Sequence, residues 1–218
     1  MAIFNTVYGG EWRLLPSTYQ EVEWIWRNWN NYINTNWTPD QATWFKAEIW
    51  FKVASLWTRA FAFWNYTAGS WYYWSLSIET NASNKVRVFS SDWYNWKEFS
   101  TSNTISSSFN DIICTANWTN ASTDLNWTTT SWTIIWTASS NTAYLFIDRD
   151  LRWTTFGTDT FISYFKAYNY ENGNFSLVRD MVPCYRKSDS VIWMYDLVWK
   201  QFYINAGSWT FTKWPDVN

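Results

Sequence analysis

FKAEIWFKV, residues 45–53, alternates without a break. Phe45, Ala47, Ile49, Phe51 and Val53 fall on one side, and Lys46, Glu48, Trp50 and Lys52 on the other. A period of two is the pattern of a strand, whose successive side chains point to opposite faces. One apolar and one largely polar face place that strand in an antiparallel sheet, with a core beneath it and water above. Residues 84–90 repeat the pattern, with Val86 and Val88 against Lys85 and Arg87. Further strand candidates lie at 21–26, 32–35, 59–63, 72–78, 111–115, 143–147, 161–170, 175–182, 191–195 and 201–204. Turn-rich segments at 81–84, 91–96, 117–122, 172–173 and 188–190 separate them, and the Ser/Thr-rich stretch 100–110 reads as a loop. No helical stripe exceeds two turns and no internal repeat is visible. The chain is therefore expected to be all-β, a two-sheet antiparallel β-sandwich.

The composition is inverted at two residues. There are 22 tryptophans and only 6 glycines. Trp29, Trp37, Trp93, Trp96, Trp118 and Trp127 follow Asn or Asp directly, and Trp71, Trp132 and Trp209 follow Ser. Those are glycine contexts, because Asn-Gly, Asp-Gly and Ser-Gly supply the positive φ of tight turns. A bulky side chain is strained there. Two readings follow. In the first, UGA codons meaning glycine have been translated as tryptophan. In the second, the tryptophans are real and form aromatic platforms for sugars. The coding DNA separates them: UGG codons at Trp29, Trp118, Trp127, Trp209 and Trp214 exclude the first. If every tryptophan is made, strained turns at about 1–2 kcal/mol each rival a domain's total stability of about 5–15 kcal/mol. Poor folding and aggregation are then expected.

Charge and cysteine content exclude several functions. A net charge of −2 with no basic block argues against binding nucleic acid through its phosphates. The absence of histidine removes His-dependent triads and His-ligated zinc. Cys114 and Cys184, without CxxC spacing, read as buried free thiols. No apolar run is long enough to cross a membrane, and MAIFNTVYGGEWRLLP lacks the basic-then-apolar pattern of a signal peptide.

Two stretches carry a resemblance: LPSTYQEVEWIWRNWNNYINTNWTP, residues 15–39, and the segment 165–217, which contains PCYRKSD at 183–189. Together they resemble a bacterial and phage family of concanavalin-A-like, laminin-G-like jelly-roll domains. Residues 45–160 follow that family only in strand rhythm. Trp29, Trp193, Trp209, Trp214 and Ser190 fall where the family pattern has glycine, while Trp24 falls on an aromatic position. Cys184 matches a lone cysteine of the family. The resemblance implies a concanavalin A-like jelly roll over residues 16–217, with 1–15 as a linker or extension. It also implies an adhesion role at an extracellular surface or virion, as in phage tails and bacterial surface proteins.

Candidate chemistry is sparse. Glucanases of the wider superfamily carry acids alternating along one strand. Glu21–Glu23 and Asp148–Asp150 are the nearest matches here, and both lack the third acid. No catalytic residue is assigned and the chain is read as a non-enzyme. No cofactor is assigned. Calcium stays open through Asp148, Asp150, Asp189 and Asp196, without a spaced ligand loop. Arg179–Asp180 and Arg186–Lys187 read as a charge pair and a turn anchor, and Tyr185 and Tyr195 as core rings with capped hydroxyls. With suspected glycine sites set aside, the ligand-binding candidates are Tyr66, Tyr72 and Tyr73. The expected function is recognition of a glycan or cell-envelope component. A homo-oligomer or larger assembly is open, with a purely structural domain as the alternative and a glycoside hydrolase third.

Overall fold

A computed structural model describes residues 15–26, 32–40, 43–56, 60–65, 75–80, 83–91, 96–117, 119–133, 143–145, 160–206, 210–213 and 215–217. The first eight strands are β1 (Tyr19–Glu21), β2 (Ile25–Trp26), β3 (Ile33–Asn34), β4 (Phe45–Val53), β5 (Ala60–Asn65), β6 (Ser75–Thr80), β7 (Lys85–Ser91) and β8 (Trp96–Thr104). Then come β9 (Asn110–Ala116), β10 (Asn120–Leu125), β11 (Thr128–Thr133), β12 (Ala143–Leu145), β13 (Thr160–Glu171) and β14 (Asn174–Arg186). The last are β15 (Ile192–Asp196), β16 (Gln201–Tyr203) and β17 (Thr212–Lys213). Among the described residues they form two antiparallel sheets. The larger runs β11-β10-β9-β4-β13-β14-β15-β16, with β1 on β14, β2 on β13 and β17 on β2. The smaller runs β3-β12-β5-β6-β7-β8.

The alternation at 45–53 does what it predicts. Burial along β4 switches residue by residue, with Phe45, Ala47, Ile49, Phe51 and Val53 inside. Ile112 and Cys114 from β9, Ile162 and Phe165 from β13, and Met181 from β14 complete that side of the core. Ile33, Val86, Ala143 and Leu145 face them from the smaller sheet. Both cysteines are free and buried. Burial pushes each thiol up to about 12, so neither is a nucleophile at neutral pH.

Two readings are corrected. The loop expected at 100–110 is half strand, since β8 continues to Thr104. The turn expected over 117–122 ends early, because β10 begins at Asn120. The β10–β11 hairpin was missed altogether. Its strands, NASTDL and TTTSWT, are mostly polar, and β11 lies at the sheet edge, so they carry little hydrophobic pattern.

The turn of this hairpin carries Trp127, at an Asn-Trp step that reads as a glycine context. Leu125 pairs with Thr128, leaving Asn126 and Trp127 as a two-residue turn with φ of 49° and 71°. Positive φ at both central residues defines a type I′ turn, which favours Asn-Gly. The β13–β14 hairpin provides an internal comparison. There Glu171 pairs with Asn174 around Asn172 and Gly173, with φ of 51° and 85°. Trp127 therefore occupies the slot that Gly173 fills, and its ring is 82% exposed. Ser190, at a position where the resembled family has glycine, also has positive φ, 59°. By contrast Trp37 and Trp132, which follow Asn and Ser, and Trp193, at a position where the resembled family has glycine, have no positive φ.

Trp127→Gly is expected to raise stability by about 1–2 kcal/mol, by removing left-handed strain. Urea unfolding at constant m-value checks it, and a loss of stability contradicts it.

Candidate functional site

The outward face of the larger sheet carries the site. Six strands contribute, and their registers line up outward side chains into cross-strand rows. Tyr168 of β13 sits opposite Lys46 of β4, then Thr115 of β9, Ser122 of β10 and Ser131 of β11. The next row is Asp180, Lys166, Glu48, Ile113, Asp124 and Thr129. The third is Tyr164, Trp50 and Asp111. Adjacent strands lie about 4.8 Å apart, so the six-strand face is on the order of 24 Å wide.

The groups within the rows hold one another. The Lys46 ammonium lies 2.8 Å from Glu48 and 3.8 Å from the centre of the Tyr168 ring. Lys166 is 4.0 Å from Asp180. Tyr164 donates its hydroxyl to Asp111 at 3.0 Å, and its ring lies 6.2 Å from Trp50. Trp50 also packs against Phe109 at 4.8 Å. Asp124 accepts from the Thr129 hydroxyl at 3.2 Å. At the far end of the first row, Trp44, Asn120, Ser122, Ser131 and Thr133 surround an open hollow of about 340 Å³.

Titration follows from this crowding. Burial pushes the Tyr168 phenol well above its ordinary value, and Glu48 adds to the shift. Tyr168 therefore stays protonated at neutral pH and acts as a hydrogen-bond donor. Burial also raises Asp111, outweighing the Tyr164 hydrogen bond that lowers it, and the Glu48 and Asp124 charges push it further up.

The residues singled out in the sequence lie elsewhere. Tyr66, Tyr72 and Tyr73 fall outside the described residues, as do Asp148 and Asp150. Asp189 is paired with Arg186 across a turn, and that contact holds its carboxyl below the usual range. Asp196 is buried near Arg179. Among the described residues no three His, Cys, Asp or Glu side chains converge on a metal-sized site. Glu21 faces Cys184 across β1–β14 and Glu23 is exposed, so neither joins the rows. Arg179 and Asp180 do not pair with each other: Arg179 reaches Asp196, and Asp180 reaches Lys166. Tyr195 is buried as expected, and Tyr185 is half-buried with its hydroxyl on Asp216 at 3.0 Å.

The sequence pointed to the β4 half of this face through its polar positions. Strand rhythm marked 111–115 and 161–170 as well, but only register brings their outward residues beside those of β4, β10 and β11.

The architecture has counterparts among solved structures. One is a protein of Bacteroides ovatus described as a candidate carbohydrate-binding protein, with a TM-score of 0.53 and 9% identity, over 91% of this chain and 62% of that one. The shared fold is a two-sheet antiparallel β-sandwich. The mouse laminin α1 domains LG4-5 match at a TM-score of 0.49 and 10% identity, over 76% of this chain and 44% of theirs. A galectin of Caenorhabditis elegans matches at 0.40 and 9%, over 69% of this chain and 99% of its own. This chain thus spans less than two thirds of the first two structures, and at these identities the likeness concerns fold alone. No family model and no curated protein matches the chain. Among the described residues no helix is long and apolar enough to cross a membrane.

Proposed function

We propose that the outward face of the larger sheet binds a glycan, as a recognition module without catalytic turnover. The observation that carries this is the set of cross-strand rows, which place aromatic rings beside carboxylates, ammoniums and hydroxyls on one continuous face. Sugars present apolar C–H faces to rings and hydroxyl edges to such polar groups, so the face offers both kinds of contact. Its shape fits a chain of sugars better than one ring. The β-sandwich shared with the Bacteroides ovatus protein is compatible with this reading but does not choose it.

The non-enzymatic part rests on how the acids are held. Glu48 is closed onto Lys46, Asp111 onto Tyr164 and Asp124 onto Thr129. A glycosidase needs two carboxylates facing each other across a scissile bond, one of them kept protonated. A protonated Tyr168 is also no base at neutral pH. The surface or virion setting, and any assembly into an oligomer, rest on the resemblance of residues 15–39 and 165–217 to phage and bacterial surface domains.

A glycan array followed by calorimetry on the hits tests the reading. Tyr168→Ala is expected to weaken binding at least about tenfold, or 1.4 kcal/mol. Thr104→Ala, an exposed change on the smaller sheet, should leave binding intact. A blank array from a folded, multimeric protein would favour a purely structural role. Turnover of a polysaccharide would overturn the non-enzyme reading.

A further inference from the structure

The charge balance of the rows narrows the ligand. Over the three rows there are two ammoniums, Lys46 and Lys166, against four carboxylates, Glu48, Asp111, Asp124 and Asp180. Both ammoniums already lie against carboxylates, Lys46 at 2.8 Å and Lys166 at 4.0 Å. No arginine stands in these rows to take a carboxylate or sulfate with two parallel hydrogen bonds. Asp111 registers the excess, since Glu48 and Asp124 both raise its pKa beyond what burial does.

The first row has a different character. From Tyr168 and Lys46 it runs on through three successive hydroxyls, Thr115, Ser122 and Ser131, to the hollow beside Trp44. Hydroxyls both donate and accept, and carboxylates accept only. The face is thus rich in acceptors for sugar hydroxyls and poor in cations for sugar acids.

We propose that this face takes a neutral oligosaccharide laid across the strands, from Tyr168 toward Ser131, and discriminates against uronate and sulfated chains. This rests on the glycan-binding reading and names the ligand class for the same site. Neutral hydroxyls hydrogen-bond to Glu48 and Asp124 at little electrostatic cost. A polyanion on the same path meets like charges at close range, which costs affinity strongly.

The test uses the full chain and tetrasaccharide probes measured by calorimetry. Neutral probes are β-linked glucose, xylose and mannose tetramers, and acidic probes are tetragalacturonate and a sulfated galactose tetramer. The expected result is a neutral tetramer bound at least about tenfold more tightly than either acidic one. The gap should narrow at high salt, as screening weakens the repulsion. Affinity should also rise with length from disaccharide to tetrasaccharide. Asp124→Asn should shrink the neutral-to-acidic ratio several-fold, a change that a merely structural role would not produce. Equal or tighter binding of an acidic tetramer overturns this inference while glycan binding stands. Failure of the folded protein to bind any sugar on array or in solution overturns the glycan-binding reading, and this inference with it.

Discussion

Replacing Trp37 with glycine is expected to cost about 3–5 kcal/mol of unfolding free energy, as for other buried large-to-small changes. Trp37 follows Asn36, so its sequence context matches that of Trp127. Its structural context is the opposite. The indole is 3% exposed, packs edge-on against Phe45 at 5.9 Å, and lies 6.1 Å from Phe165. Its Nε1–H donates to the Asn169 side chain at 2.9 Å. Glycine would leave a cavity among these rings, strand the Asn169 acceptor and loosen the backbone beside β3. Chemical denaturation of the single variant measures this. A gain in stability instead would mean that position 37 is a glycine site that tolerates an indole. Together with the expected gain from Trp127→Gly, the result separates tryptophans that the fold uses from those that occupy glycine turns.

Arg179→Ala is expected to be at least as damaging, at about 3–5 kcal/mol. Arg179 leaves β14 and crosses to the end of β3, so it ties the two sheets together. Its Nε donates to the Thr35 carbonyl at 2.9 Å, and its two terminal nitrogens donate to Val178 and Asn36 at 2.7 and 2.6 Å. Asp196, with 0% exposure, lies 3.5 Å from Nε and also accepts backbone N–H bonds from Asp180 and Val198. Removing the guanidinium takes its donors from the Thr35 and Asn36 carbonyls, while Val178 keeps the Trp199 indole N–H, and leaves the buried Asp196 carboxylate without its cation.

The pH dependence has a definite sign. Burial raises the Asp196 carboxyl above its usual value even with Arg179 beside it. A raised folded-state pKa gives stability that is present below the unfolded pKa of about 3.9 and lost as pH rises through the folded value. Without Arg179 the folded value climbs further. The variant's deficit should therefore be largest near neutral pH and shrink on acidification. A deficit that does not change with pH would place the damage in the lost carbonyl contacts alone.

Legibility in the sequence followed the strength of the local pattern. The run 45–53 was readable to the residue, because strict alternation specifies both the strand and its buried face. Segments 161–170 and 191–195 were nearly as clear. The β10–β11 hairpin was not, because both strands are mostly polar: β10 buries only Ala121, Thr123 and Leu125, and β11 lies at the sheet edge. The tyrosine candidates at 66, 72 and 73 were chosen by local aromatic density. The rows that form the site have no such density, since each strand contributes only one or two outward groups.

By itself the sequence determined that this is an antiparallel β-sandwich, that Phe45, Ile49 and Phe51 point inward, and that Lys46, Glu48 and Trp50 do not. Composition also determined that no histidine chemistry operates. Only the tertiary structure decided that Tyr168, Lys46, Thr115, Ser122 and Ser131 share a row, that Arg179 serves Asp196 and β3, and that Trp37 belongs to the core while Trp127 stands in a left-handed turn. The reason is physical. A period of two states which face a side chain takes, and this is local. Which strands become neighbours, and in what register, is settled by burying the two inner faces against each other, and that depends on residues far apart in the chain.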